Sequence, residues 1–129
     1  MSYFGKYLEA ETLKGSTITA ISSEGLDIIK INTDDGKRYA FFHNQDCCER
    51  VAIHDIEGNL SALIGSPLIV AQKDSLNSWP KDVAKPEYEP ESFTWTVLTL
   101  ATDTAKVRVR WFGYSNGYYG EGIDLEEMP

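Results

Sequence analysis

The chain has 129 residues, of which 42% are hydrophobic and 25% charged, a size and composition typical of one globular domain covering 1–129. Its formal charge of −8 argues against general binding to nucleic acid, which requires Lys and Arg to neutralise phosphates. Apolar runs fall well short of the roughly 20 residues that span a bilayer. The first residues lack the basic start and apolar stretch of a signal peptide. We therefore expect a protein of a reducing cytoplasm, without a membrane partner, whose two cysteines are free thiols.

The first half of the chain predicts short strands separated by turns. Residues 3–14 predict a short N-terminal helix or an irregular arm, because residues 7–13 have fair helix propensity. Polar and apolar side chains alternate over residues 16–22, which predicts a strand. Residues 26–32 and 37–43 predict a hairpin closed at Gly36. Ile29 then lies opposite Phe41 and Ile31 opposite Tyr39, which makes one face of the hairpin apolar.

A short central helix is predicted after a further strand at residues 50–56. Its apolar face would comprise Leu60, Leu63 and Ile64, and Gly65 would end it. Residues 68–72 form another short apolar strand. Residues 73–91 contain three prolines and little periodicity, which indicates a long, solvated loop within the domain.

Two hairpins are predicted near the C-terminus. Residues 93–101 and 106–112 pair around a turn at 102–105. The second hairpin turns at residues 115–117, because that register sets Val107 opposite Leu125 and Val109 opposite Ile123 and keeps one face apolar. It also sets Gly120 opposite Phe112. Together these elements predict an α+β fold: one antiparallel, meander-rich, curved sheet of about seven or eight strands, with the short central helix and the N-terminal one.

Residues 43–49 are the densest group of chemically active side chains, since they hold both cysteines and one of the two histidines. A metal site is disfavoured because adjacent residues on a strand point to opposite faces, so Cys47 and Cys48 would not share one ion. Cysteine catalysis, with His43 or His54 as the base, is disfavoured because Asp46 and Glu49 place negative charge beside the thiols. Two interpretations remain: a structural connection with one thiol inward and the acids outward, or a binding site.

Residues 111–119 form the other candidate site, with five aromatic rings around a tight turn. Aromatic side chains with polar tips are favoured at interfaces. Packing of the rings across the strands explains the same pattern equally well. The candidate binding residues from both stretches, together with Asp55, are His43, Asp46, Cys47, Cys48, Glu49, Asp55, Trp111, Tyr114, Asn116, Tyr118 and Tyr119.

Four segments resemble a family of small proteins of unknown function from bacteriophages and bacteria. They are His43-x-Gln45-Asp46-Cys47-Cys48-Glu49, Asp55-Ile56-x-Gly58-x-Leu60, Leu63-Ile64-Gly65-x-Pro67, and Trp111-x-Gly113-x-Ser115-Asn116-Gly117-Tyr118-Tyr119. The resemblance spans residues 39–126 and implies a phage or prophage protein acting in the bacterial cytoplasm. The resemblance does not identify any catalytic residue.

We therefore expect a non-enzymatic binding protein without a cofactor, which engages a host protein or a small ligand. A narrower form of this hypothesis is a sponge for nucleotide-like molecules in counter-defence, in which the aromatic rings stack on the ligand. The alternative from another class is a metal- or thiol-dependent enzyme built on His43, Asp46, Cys47, Cys48 and Glu49.

Overall fold

The computed structural model describes residues 7–129, and within them the chain forms nine strands and two short 3₁₀ turns but no α-helix. The strands are β1 (Tyr7–Leu8), β2 (Ile18–Glu24), β3 (Ile28–Thr33), β4 (Arg38–Phe42), β5 (Arg50–Glu57), β6 (Val70–Leu76), β7 (Ser92–Ala101), β8 (Lys106–Ser115) and β9 (Asp124–Met128). The 3₁₀ turns are Ala10–Leu13 and Leu60–Leu63. None of these elements is a helix long and apolar enough to cross a membrane.

The strands form two antiparallel sheets, one in the order β1-β9-β4-β3-β2 and the other in the order β5-β8-β7-β6. The prediction of an α+β fold with one curved sheet is therefore wrong, because this is a mostly-β fold. The core is formed from inward-facing residues of both sheets, including Phe41, Ile31, Leu98, Trp111 and Leu125.

The predicted central helix is a single 3₁₀ turn at Leu60–Leu63. Gly58 and Gly65 flank it, each with a φ of +100°, so the right-handed backbone has room for one turn only. The Asn59 side chain caps this turn by accepting a hydrogen bond from the backbone N–H of Ser61. Of the predicted N-terminal helix or arm at residues 3–14, residues 3–6 lie outside the described part of the chain, and the rest forms β1 and the turn at Ala10–Leu13.

The two predicted local hairpins are confirmed. In β3 and β4, Ile29 lies opposite Phe41 and Ile31 opposite Tyr39. Gly36 closes this hairpin with a φ of +82°. β7 and β8 form the second hairpin and extend to Ser92 and Ser115.

The predicted pairing of the last two strands is wrong. β8 lies between β5 and β7, where Val109 is opposite Ile56 on one side and Leu98 on the other. β9 instead lies between β1 and β4 in the other sheet, and Leu125 is opposite Phe41. Both edges of β8 are therefore occupied, and the chain between β8 and β9 crosses from one sheet to the other.

Gly113 allows this crossover segment to pass close to β8. A Cβ atom at Gly113 would lie 2.2 Å from the carbonyl oxygen of Glu121, much closer than atoms can approach without a shift. The backbone of Glu121 thus rests directly on Gly113. The Glu121 carboxylate is also buried there and accepts hydrogen bonds from the hydroxyls of Ser115 and Thr94.

The predicted loop at 73–91 begins later than expected, since β6 continues to Leu76. Trp79 in this loop packs edge-to-face against Phe93, Trp95 and Phe112, with ring centroids 5.3–5.4 Å apart. These partners lie on β7 and β8, on the face of the second sheet opposite the side that carries Trp111. The loop is thus anchored to this outer face rather than extending into solvent.

Candidate functional site

The turn between β4 and β5 is built around the carboxylate of Glu49, which is 2% exposed. Its Oε1 accepts a hydrogen bond from the backbone N–H of Cys47 at 2.9 Å. Its Oε2 accepts one from the backbone N–H of Asp46 at 2.9 Å and lies 2.7 Å from His43 Nε2. One buried acid thus holds the backbone of the turn from inside.

His43 connects this turn to the segment that precedes β9. Its Nδ1 lies 2.7 Å from the carbonyl oxygen of Gly122 and must donate, because a carbonyl only accepts. Its Nε2 donates to the Glu49 carboxylate on the other side. In this arrangement the ring bridges the Glu49 carboxylate and the Gly122 carbonyl.

The ionised state of Glu49 follows from its surroundings. Burial alone would raise the pKa of this carboxyl, but the hydrogen bonds from the Cys47 backbone, the His43 ring and the Asp46 backbone outweigh it. The pKa of Glu49 falls from its usual value of 4.5 to about 2. Glu49 is therefore a fully compensated buried anion at neutral pH.

The side chains of the 43–49 stretch divide into those that hydrogen-bond to other described residues and those that do not. His43, Gln45 and Glu49 bond within the molecule, and Gln45 Nε2 donates to the carbonyl oxygen of Glu49 at 2.7 Å. Asp46, Cys47 and Cys48 are exposed. The expectation of one thiol inward and both acids outward is thus wrong, since both cysteines face outward and Glu49 faces inward.

Cys47 and Cys48 are joined by a disulfide, so the prediction of free thiols is wrong for this structure. The prediction of free thiols rests on the expected reducing cytoplasm. Residues 47–48 form a bend outside the strands, which brings the two sulfur atoms together. Across residues 7–129, no group of three His, Cys, Asp or Glu side chains is arranged to hold a metal ion.

A polar cavity of about 440 Å³ opens between the Glu49-centred turn and the segment before β9. Its lining residues come from three parts of the chain: His43, Asn44, Asp46, Glu49, Lys73, Gly120, Gly122, Ile123 and Asp124. Lys73 on β6 reaches the cavity and donates a hydrogen bond to the carbonyl oxygen of Ile123 at 2.8 Å. The cavity therefore combines an ammonium group with carboxylates.

The Asn44 side chain, at the lining of the cavity, holds one buried and unpaired acceptor. Its Nδ2 donates to the buried Glu126 carboxylate at 2.8 Å and to Asp124 at 3.3 Å. This orients the amide so that Oδ1 faces away from both acids. Oδ1 is buried, and no hydrogen-bond donor within residues 7–129 reaches it.

The predicted aromatic residues do not join this cavity. Trp111 is fully buried in the core and lines neither this cavity nor the apolar groove described below. Asn116 closes the turn by accepting a hydrogen bond from the backbone N–H of Tyr118 at 3.0 Å. Tyr118 is 88% exposed and packs near Tyr119, with ring centroids 6.4 Å apart. Tyr118 and Tyr119 therefore stay candidate contact residues on the surface.

Tyr114 belongs to a separate, apolar groove of about 340 Å³. The groove lies between the outer face of the second sheet and the 77–91 loop, and its lining residues are His54, Trp79, Val83, Ala84, Pro86, Tyr88, Pro90, Trp95, Phe112 and Tyr114. The cysteine turn and the predicted aromatic residues thus line two different concavities.

Asp55, also a predicted binding residue, is engaged beside this groove by Arg110. Arg110 Nε donates to Asp55 at 2.9 Å, and Nη1 donates to Asp82 of the loop at 2.8 Å. Hydrogen bonds from Arg110 hold the pKa values of both carboxyls below their usual range. Asp55 therefore helps to hold the loop on the sheet.

Sequence reasoning missed Asn44, Lys73 and Asp124 as cavity residues and Trp79 as the anchor of the loop. Lys73 fell within the predicted loop, and only the longer β6 carries it to the cavity. A lone tryptophan between polar residues was the available signal for Trp79, because a solvated loop rarely holds so large an apolar side chain.

The comparisons with known proteins identify a family but no individual relative. No curated protein and no solved structure matches this chain. One family matches residues 7–125, which is nearly the whole chain. The protein belongs to that family, which is described as Domain of unknown function (DUF7448).

Proposed function

We propose that this is a non-enzymatic binding protein that holds a small polar ligand in the cavity between the Glu49-centred turn and the segment before β9. The observation that carries the proposal is the chain of hydrogen bonds from Glu49 through His43 to Gly122. It fixes both walls of the cavity before any ligand arrives. A preorganised site loses less free energy on binding than a site that must first become ordered.

The groups around the cavity define the chemistry of the ligand. Lys73 uses one of its N–H groups on Ile123 and can direct the others to an anionic or carbonyl group. The exposed Asp46 carboxylate lines the cavity and accepts no hydrogen bond from the rest of residues 7–129, so it can accept one from a ligand. The best match is a small molecule that has hydroxyl or amino donors together with an acidic or carbonyl group.

The enzyme alternative has less support. A general base needs a free ring nitrogen, and both nitrogens of His43 are engaged by Gly122 and Glu49. A cysteine nucleophile needs a thiolate, and Cys47 and Cys48 are paired with each other.

The nucleotide sponge, the binding of a host protein and the phage origin are still supported only by the sequence. A nucleotide sponge requires a ring to stack on the base, and the described lining of the polar cavity includes no Phe, Trp or Tyr. Binding of a host protein through the exposed Tyr118 stays a proposal, as does a phage or prophage origin, which rests on the sequence resemblance alone.

Native mass spectrometry of the protein after incubation with deproteinised bacterial extract tests the proposal. We expect a non-covalent adduct on the wild type that is lost in Lys73→Met and in Asp46→Asn. A matched control is Lys14→Met, because Lys14 is exposed and lies outside the cavity. Circular dichroism verifies that each variant is folded.

Two results would overturn the proposal: the wild type forms no adduct, or the adduct survives both cavity substitutions. A parallel incubation with cyclic nucleotides tests the sponge version separately. An adduct lost only on substitution of Tyr114 or Trp79 would assign binding to the apolar groove instead.

A further inference from the structure

The Glu49-centred turn presents two exposed sulfur atoms that the proposed ligand site does not use. Cys47 and Cys48 lie outside the polar cavity, in a neighbouring depression of about 380 Å³ whose other lining residues are Asp27, Gln45, Glu49, Arg50, Val51 and Ala52. Cysteine is usually a buried residue that packs as a small apolar group. Here neither cysteine packs into the core, so core packing does not explain the pair.

We propose that Cys47 and Cys48 form a reversible thiol–disulfide exchange site, whose reactants are small dithiols in one direction and small disulfides in the other. The proposal does not depend on ligand binding in the polar cavity. It rests on the pairing of the two cysteines, on their exposure, and on the way the turn is held.

The backbone of the turn is held by bonds that do not involve sulfur. The N–H of Cys47 donates to Glu49 Oε1, and the carbonyl oxygen of Cys47 accepts from Gln45 Nε2 at 3.3 Å. These bonds can persist when the disulfide is reduced. The two thiols then stay side by side. Such proximity favours formation of the Cys47–Cys48 disulfide ring over reaction with a second molecule.

The reaction balances in both directions. In reduction, one thiolate of a dithiol attacks one sulfur of the Cys47–Cys48 bond, and the other cysteine leaves as a thiolate and takes up a proton. The second thiol of the reagent then attacks the mixed disulfide and releases the first cysteine, so the reagent ends as a cyclic disulfide. In oxidation, a disulfide such as oxidised glutathione is reduced to two thiols while the cysteine pair closes.

The charges around the pair are compatible with exchange. Arg50 lines the same depression and favours a nearby thiolate. Glu49 would disfavour a thiolate, but its charge is compensated by His43 and by two backbone N–H groups. Asp27 lines the same depression and opposes the effect of Arg50, whereas the carboxylate of Asp46 belongs to the lining of the polar cavity.

Alkylation of the full-length protein, read by intact mass, tests this proposal. After equilibration with dithiothreitol, we expect both cysteines to be alkylated by iodoacetamide. After equilibration with oxidised glutathione, we expect complete loss of alkylation with no glutathione attached and no dimer. Return to dithiothreitol should restore both thiols.

The single substitutions Cys47→Ser and Cys48→Ser supply the control, because neither can close the ring. Each should stop at a mixed disulfide with glutathione while it keeps the wild-type unfolding midpoint. Persistent alkylation of both wild-type cysteines in oxidised glutathione would overturn the proposal, as would stable double attachment of glutathione. Both variants should still bind the ligand of the polar cavity, so the two proposals can fail independently.

Discussion

His43 Nε2 lies 2.7 Å from Glu49 Oε2 in a pair that is almost wholly buried, with side-chain exposures of 9% and 0%. This contact gives the histidine and the glutamate of the 43–49 stretch a structural role. They hold the turn and join it to Gly122, whereas the exposed residues between them remain available for contact with other molecules. The predictions below test this division.

Glu49→Gln should destabilise the protein by about 3 kcal/mol, because an amide has one acceptor oxygen where the carboxylate uses two to bind the Cys47 and Asp46 backbone N–H groups and the His43 ring. Urea unfolding measures the change. A matched control is Glu57→Gln, since the Glu57 side chain is 78% exposed and its nearest cation, Arg108, is 3.7 Å away. That substitution should change stability by less than about 0.5 kcal/mol. Equal effects of the two substitutions would contradict a special role for Glu49.

The lowered pKa of Glu49 predicts that the free energy of unfolding depends on pH. The pKa of Glu49 is about 2 in the folded protein and 4.5 as its usual value, so the unfolded chain takes up the proton first as pH falls. The contribution of Glu49 is therefore complete above pH 4.5 and is lost as pH falls towards 2. Its size is about 3 kcal/mol at 1.36 kcal/mol per pKa unit.

Unfolding free energies of the wild type and of Glu49→Gln, measured between neutral pH and pH 2, check this dependence. The difference between the two proteins should shrink through that window. Asp55 and Asp82 also have lowered pKa values, but they are present in both proteins and largely cancel in the comparison. A difference that stays constant down to pH 2 would exclude an ionised Glu49 as the stabilising group.

Gly113→Ala should destabilise the protein by about 2–3 kcal/mol or more, because the added methyl group would overlap the backbone of Glu121. Thermal unfolding measures the loss. Gly120→Ala is the control in the same segment, since a Cβ there meets no atom within 4 Å. We expect it to be nearly neutral. Similar unfolding temperatures for the two variants would show that the crossover segment does not rest on Gly113.

Trp79→Ala should release the 77–91 loop from the second sheet. The loss of the contacts with Phe93, Trp95 and Phe112 should cost about 2 kcal/mol, less than a fully buried tryptophan because Trp79 is partly exposed. Trypsin should then cut faster after Lys81. Tyr88→Ala is the control, because Tyr88 is 84% exposed. Unchanged cleavage in Trp79→Ala would mean that other contacts hold the loop.

The parts of the fold that could be predicted are those decided by neighbouring residues. The turn at Gly36 and the facing pair of Ile29 and Phe41 lie close together in the sequence and determine the register of the first hairpin. The partner of β8 is a non-local choice, and an apolar face is obtained with β5 as well as with β9. Alternation of side chains determines which face of a strand is buried but not which sheet the strand joins.

In the candidate site, too, only the residues that are close together in the sequence could be predicted. His43, Asp46 and Glu49 meet because they lie within one turn. Lys73 and Asp124 reach the same cavity from distant strands, and the sequence carries no local signal for that approach. The aromatic residues gave a misleading signal, because Trp111 and Tyr114 are three positions apart on β8 and therefore face opposite sides of the sheet.

Hydrogen exchange of the wild type, read by mass spectrometry with and without deproteinised bacterial extract, tests the central claim most directly. If the polar cavity is the ligand site, protection should rise in peptides that cover residues 43–49 and 120–124 and stay unchanged in residues 77–91. Lys73→Met should abolish the change. Protection confined to residues 77–91 and 112–114, or none in the wild type, would contradict the assignment of binding to this cavity.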